Sequence, residues 1–272
     1  MVELVGEALL YICALSMLPL HMSLPRLPML LALVGFWSAC GEGEPGTGKL
    51  DGTGVLPNPR AMDDHSYARP EEALITHLDL DIAVDMAAQR ISGTATYRIE
   101  DQGKGRVMLD TDGLTIEEVT DGHGNPLKYL LGDSTFLGRP LEVSIPQGTS
   151  VIAVRYHTGK GARALQWLEP QQTADKKHPF LFTQGQAILT RSWIPVQDSP
   201  GVRFTYNAKV KVPKELMAVM SGTNPQEHAA DGTYTFVQEQ RIPAYLIALA
   251  VGDLAFKAVD ERTGVYAERG VV

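Results

Sequence analysis

An all-β fold is what this chain predicts, and three features of the sequence carry that expectation. From about residue 71 onward, short runs alternate polar and apolar residues with a period of two. Glycine- and proline-bearing turn signals separate these runs at short intervals. No long segment repeats its apolar residues every 3.6 positions, as an amphipathic helix would. Many short strands joined by such turns make a β-sandwich or an open, curved sheet.

The elements follow in order. Residues 76–85 (THLDLDIAVD) alternate cleanly and read as a half-buried strand. Residues 90–99 (RISGTATYRI) come after the short turn 86–89, so the two runs form a hairpin. Further strands are expected at 106–110, 114–120, 141–145, 150–157, 202–212, 232–238 and 245–253. The breakers between them include DGHGNP at 121–126, GD at 132–133, PQG at 146–148 and GTNP at 222–225. Proline presets φ, and Asn and Gly tolerate positive φ, which is why these dipeptides turn a chain. No internal repeat of fixed period is present.

The N-terminal forty residues are of another kind. Residues 8–15 (ALLYICAL) and 27–39 (LPMLLALVGFWSA) are apolar, and the second run follows Arg26. Thirteen residues suit a signal-peptide core of ~7–15 and fall short of the ~20 that span a bilayer. Basic residue, apolar core, Ser38-Ala39 and then Cys40 resemble the lipobox of bacterial lipoproteins, with Trp37 standing where an aliphatic residue is usual. That resemblance implies a lipid on Cys40, attachment to a membrane, and a periplasmic or cell-surface location. Plain secretion and a buried apolar helix are the alternatives. Met1, Met17 and Met22 are all possible starts. Residues 41–70 are rich in Gly, Pro and charge and read as a tether between the 1–40 leader and a β-domain at 71–272.

Charge and cysteine content narrow the function classes. A formal net charge of −8 argues against a nucleic-acid partner, which would call for a basic stripe. The only cysteine besides Cys40 is Cys13, inside the leader, so the exported part has neither a disulfide nor a cysteine zinc site. His65, His77, His123, His157, His178 and His228 include no His-Glu-x-x-His pair, and neither a G-x-S-x-G elbow nor a phosphate-binding glycine loop occurs.

One stretch is written unlike a core strand: QGQAILTRSWIPVQDSP at 184–200. Spacing alone reads it as a buried or edge strand running into a proline-bracketed loop. Together with VKVPKEL at 210–216, LDTDGLTI at 109–116, ALQWL at 164–168, KHPFLF at 177–182, MAVMS at 217–221 and IPAYLIAL at 242–249, it resembles the N-terminal domain of M1 zinc aminopeptidases. Within that family the resemblance is to the leukotriene A4 hydrolase branch, in unbroken order over roughly residues 65–272.

The resemblance implies curved, saddle-like antiparallel sheets of the aminopeptidase N-like N-terminal type, lying over a separate catalytic domain. It also implies that Gln184, Gly185, Gln186 and Ala187 enter the substrate cleft, with Gln186 against the N-terminal part of a bound peptide. A neutral amide offers an acceptor oxygen and two N–H donors, which suit an α-ammonium and peptide carbonyls. Gly185 would let the backbone approach closely. Arg191 and Asp198 match the Arg…Pro-x-x-Asp segment and are expected to hold the loop as a charge-assisted pair. Complete family members bind Zn, but this sequence ends at Val272 before any His-Glu-x-x-His. No cofactor or metal ligand is therefore expected in this chain, which is expected to be inactive alone. Its expected partners are a peptide substrate and, if the catalytic half is encoded separately rather than lost by truncation of the gene product, an M1 zinc domain. The alternative is a stand-alone β-domain lipoprotein that binds peptide or a protein partner. An epoxide-hydrolase fragment is discounted, since that chemistry also needs the zinc domain.

Overall fold

The computed structural model describes residues 63–272. The leader at 1–40 with Cys40, and the tether as far as residue 62, lie outside the described residues. Strands β1 (Ala73–Asp85), β2 (Arg90–Asp101), β3 (Arg106–Thr111), β4 (Leu114–Asp121), β5 (Tyr129–Leu131), β6 (Arg139–Ser144) and β7 (Val151–Thr158) come first. They are followed by β8 (Leu165–Leu168), β9 (Phe180–Thr183), β10 (Arg203–Lys211), β11 (Met217–Met220), β12 (Thr233–Pro243), β13 (Leu249–Gly252), β14 (Leu254–Ala258) and β15 (Gly264–Glu268). Helix among the described residues is confined to three short 3-10 turns.

The strands form open sheets. The largest has the order β12-β10-β1-β2-β7-β4, and a second has β11-β13-β9-β8. Strands β3-β6-β5 make a three-stranded sheet, and β14-β15 a terminal hairpin. The expected antiparallel architecture holds for the strand pairings with one exception, because β1 and β10 run parallel. The polar–apolar alternation read from the sequence becomes a two-faced sheet. Leu78, Leu80 and Ile82 of β1, Tyr97 of β2, Tyr156 of β7 and Phe204 and Tyr206 of β10 all point into the core. The opposite face is polar, and its charges pair across strands: Lys209 Nζ lies 2.9 Å from Asp81, and Asn207 donates to Asp79 at 3.0 Å. Burial pushes the Tyr97 and Tyr156 hydroxyls well above their usual range.

Three expectations change. The 245–253 run is not one strand: Ala244–Leu246 is a 3-10 turn, and β13 starts only at Leu249. Short strands β5, β8, β9, β11, β14 and β15 add to the expected set, because three to five residues are too few to show a period. Composition also assigns residues 63–70 to the tether, yet Ser66 and Ala68 are only 5% and 2% exposed. Contacts with residues far along the chain hold this segment, and no local composition can show those.

Gly93 fixes the spacing between β1 and β2. A Cβ there would stand 2.1 Å from the Asp81 carbonyl oxygen and 2.7 Å from Ile82 Cα, both backbone atoms of the partner strand. Gly93→Ala is expected to cost about 2–3 kcal/mol by forcing the strands apart, lowering the melting temperature by roughly 5–10 °C. A calorimetric scan checks this, and an unchanged midpoint would show that the strands yield freely.

Candidate functional site

The segment after β9 carries the residues singled out from the sequence. It is not the buried or edge strand that spacing suggested, since β9 ends at Thr183 and the chain turns at once. Gln184 N–H donates to Ala164 O at 2.8 Å, and Leu189 N–H to Gly185 O at 2.8 Å, which closes a compact loop. A 3-10 turn, Thr190–Ser192, ends it. Gln184, Gln186 and Ala187 are exposed, while Gly185 is buried. A Cβ on Gly185 would meet Thr190 Oγ1 at 2.7 Å and Tyr245 O at 2.8 Å. The glycine therefore lets the loop sit directly on the Ala244–Leu246 turn, to which Thr190 Oγ1 also donates (Ala244 O, 3.1 Å). The Gln186–Ala187 peptide is cis.

The two glutamines are not equivalent. Gln184 turns its Oε1 back to accept the Gln186 N–H at 3.0 Å, so its acceptor is committed to shaping the loop. The Gln186 side chain is exposed beside it, on a loop held at both ends.

Beneath the loop, every residue from Thr190 to Ser199 is buried, although no strand runs there. A buried irregular segment must find partners for its backbone groups elsewhere. Val196 and Asp110 exchange backbone hydrogen bonds at 2.8 and 3.1 Å, and Asp112 N–H donates to Arg191 O at 2.9 Å. The Gln197 amide accepts from Ile75 N–H at 2.9 Å and donates to Ala73 O at 2.8 Å.

Arg191 and Asp198 are brought together at the centre, 0% and 2% exposed, with Nε 3.1 Å from Asp198 Oδ2. Asp198 Oδ2 also accepts the Arg191 backbone N–H at 3.2 Å. Arg191 Nη1 donates to Leu137 O at 2.8 Å and makes an ion-pair contact with Asp110 Oδ1 at 3.4 Å. Nη2 donates to His65 O at 2.9 Å and to Asp198 O at 3.0 Å. Asp110 accepts in addition from Ser66 Oγ at 2.5 Å, Tyr67 N–H at 2.7 Å and Asp198 N–H at 2.9 Å. Two carboxylates thus face one guanidinium out of reach of water. Burial pushes the Asp198 carboxyl up to about 6, against the pull of Arg191, and the Asp110 charge adds to the rise.

Asp110 was not picked out from the sequence as part of this cluster. Alternation in β3 turns Val107 and Leu109 inward and Asp110 away, and Asp110 is buried because Ser66, Tyr67, Arg191 and Asp198 close around its carboxylate. A carboxylate within the LDTDGLTI stretch was the one available signal. Among the described residues, no three His, Cys, Asp or Glu side chains come together in a way that could hold a metal ion. The residues present therefore do not fit a zinc site, and no chemical step is routed through zinc here.

The chain matches the family model described as the peptidase M1 N-terminal domain over residues 75–246. It belongs to the M1 peptidase family. Its relatives include leukotriene A-4 hydrolase of Xenopus laevis, 40% identical over 220 residues that make up 76% of this chain and 36% of that protein. Leucine aminopeptidase 2 of Yarrowia lipolytica is 33% identical over 217 residues, 78% of this chain and 32% of that protein. A solved structure of yeast LTA4 hydrolase in complex with bestatin superposes with a TM-score of 0.72 at 29% identity, over 78% of this chain and 34% of that one. The chain thus spans about a third of the length of these relatives. The matched residues include the Gln184–Ala187 loop and Arg191, Asp198 and Asp110 of the cluster, but not its partners His65, Ser66 and Tyr67.

The cluster dictates a pH response. The Asp198 carboxyl titrates at about 6 in the folded chain and at about 3.9 when unfolded, so the folded state holds the extra proton between those values. This group's contribution to stability is full below pH ~4 and is lost as pH rises through about 6. Asp198→Asn is expected to flatten the fall in unfolding free energy across that window, read from denaturant midpoints at several pH values. Arg191→Met, which leaves two buried carboxylates without a cation, is expected to cost about 3–5 kcal/mol at neutral pH. A neutral-pH loss well under 1 kcal/mol would show that water reaches the cluster.

Proposed function

We propose that this domain supplies the surface that positions the N-terminal end of a peptide for an M1-type aminopeptidase, with Gln186 as the contacting residue. One observation carries the proposal: an exposed, uncharged amide stands on a loop that is anchored at both ends and rests on a buried ionic cluster. Rigid support matters because a positioning group acts by geometry, and loss of about 1 Å in placement is costly. The Gln186 amide can accept from an α-ammonium and donate to a peptide carbonyl, and it carries no charge that would select for the side chain. The Gln184 Oε1 is engaged within the loop, so Gln184 shapes the site and only its N–H donors remain free to reach a ligand. Gly185 seats the loop against Thr190 and Tyr245, and exposed Ala187 leaves the approach to Gln186 open.

The names of the relatives support this class of reaction, since one is a leucine aminopeptidase and a solved relative was captured with bestatin. In a complete enzyme this domain orients the substrate, and the catalytic groups, zinc included, come from the M1 catalytic domain. Cys40 remains the proposed lipid attachment point, which would tether the domain to a membrane at the periplasmic or outer face. That part of the proposal rests on the lipobox-like order of residues 26–40.

The test is a chimera in which residues 63–272 replace the matching segment of yeast LTA4 hydrolase, assayed on an amino-acid anilide. Gln186→Ala is expected to raise KM roughly 10-fold or more, the loss of a hydrogen bond to a charged group, with the melting temperature unchanged. An unchanged KM, or a large fall in melting temperature, would assign Gln186 to loop packing.

A further inference from the structure

The segment ahead of β1 does more than lead into the sheet. Ser66 Oγ donates to Asp110 Oδ2 at 2.5 Å and accepts Ala68 N–H at 3.0 Å. Tyr67 N–H donates to the other Asp110 oxygen at 2.7 Å. The His65 carbonyl takes Arg191 Nη2 at 2.9 Å, and Asp63 Oδ2 takes Ser199 Oγ at 2.7 Å. Residues 63–68 therefore close the buried cluster from outside, supplying donors to Asp110 and an acceptor to Arg191. Arg191 in turn lies in the 3-10 turn that ends the Gln184–Ala187 loop. The path from Ser66 to the loop passes through two contacts: Ser66 to Asp110, and Asp110 with His65 to Arg191.

We propose that Ser66 is a positioning residue for the Gln186 loop, and that residues 63–68 form a strap whose docking sets the loop's geometry. This deepens the peptide-positioning proposal and rests on it. If the strap lets go, Asp110 loses the Ser66 and Tyr67 donors, and Arg191 loses the His65 acceptor. A buried charge left short of partners draws in water, and the turn at Thr190–Ser192 loosens with it. The loop is affected because its C-terminal end hangs on that turn through Leu189, Thr190 and Trp193. The β2 and β7 amides are held instead by backbone ladders, Ala73–Asp85 with Arg90–Asp101 and Ser92–Arg98 with Val151–His157, that do not run through Arg191.

The experiment is hydrogen–deuterium exchange on the full chain, comparing wild type, Ser66→Ala and Ser66→Thr. Ser66→Ala is expected to speed exchange of the 185–193 amides roughly five- to tenfold, with β2 and β7 unchanged. Ser66→Thr keeps the hydroxyl and is expected to exchange like wild type. Acceleration confined to residues 63–68, acceleration across the whole sheet, or a threonine variant that exchanges like the alanine one would each overturn the proposal. The measurement needs neither peptide nor catalytic domain. A loop that loosens as expected while Gln186→Ala leaves KM unchanged would sink the peptide reading alone, and the reverse result would sink only the strap.

Discussion

A guanidinium shut away from water is tolerable only if its N–H groups find acceptors, and Arg191, at 0% exposure, makes four such hydrogen bonds and an ion-pair contact with Asp110. Its partners are Asp198 through side chain and backbone, Leu137 O, His65 O and Asp110. They come from four separate parts of the chain: the segment before β1, strand β3, the turn before β6, and the stretch after the loop. One side chain thus gathers pieces that lie far apart along the chain. Ten consecutive buried residues, Thr190–Ser199, run irregularly through the interior, with this cluster, the Val196–Asp110 backbone pair and the Gln197 contacts to β1 meeting most of their polar needs, while Trp193 Nε1 finds no partner.

Such a cluster is weak support for stability, since a buried ion pair often does no better than a packed apolar replacement. What it supplies is position. Directional bonds of fixed length hold the Thr190–Ser192 turn, and the Gln184–Ala187 loop closes on that turn with Gly185 packed against Thr190 and Tyr245. Apolar packing alone would tolerate sliding of the loop, whereas donors and acceptors at about 3 Å do not. The M1 N-terminal domain thus couples an exposed amide to a rigid, charged foundation, and its large two-faced sheet serves as the frame on which both are built.

How far the sequence spoke for itself depends on the range of the interaction. The long strands β1, β2, β7 and β10 were legible because alternation over eight or more residues is a local pattern with one physical cause, a sheet with one wet and one dry face. β9 was not, since four residues show no period, and β13 was read only within an over-long run at 245–253. Arg191 and Asp198 could be singled out by their likeness to a family segment, but Asp110 and Ser66 could not. Their roles exist only once β3 and the strap meet a turn about 80 to 126 residues away in sequence.

By itself the sequence determined the all-β class, the hairpin at its start, the family, and the loop that bears Gln186. Each of these is written in residues that are neighbours along the chain, where period, turn chemistry and motif act locally. Tertiary structure alone decided that Gln184 folds back on its own loop and that Asp110 joins Asp198 at one arginine. It also decided that residues 63–68 are bound in place although their composition reads as a tether. Those outcomes follow from burial, and burial is settled by which distant segments come to cover a residue.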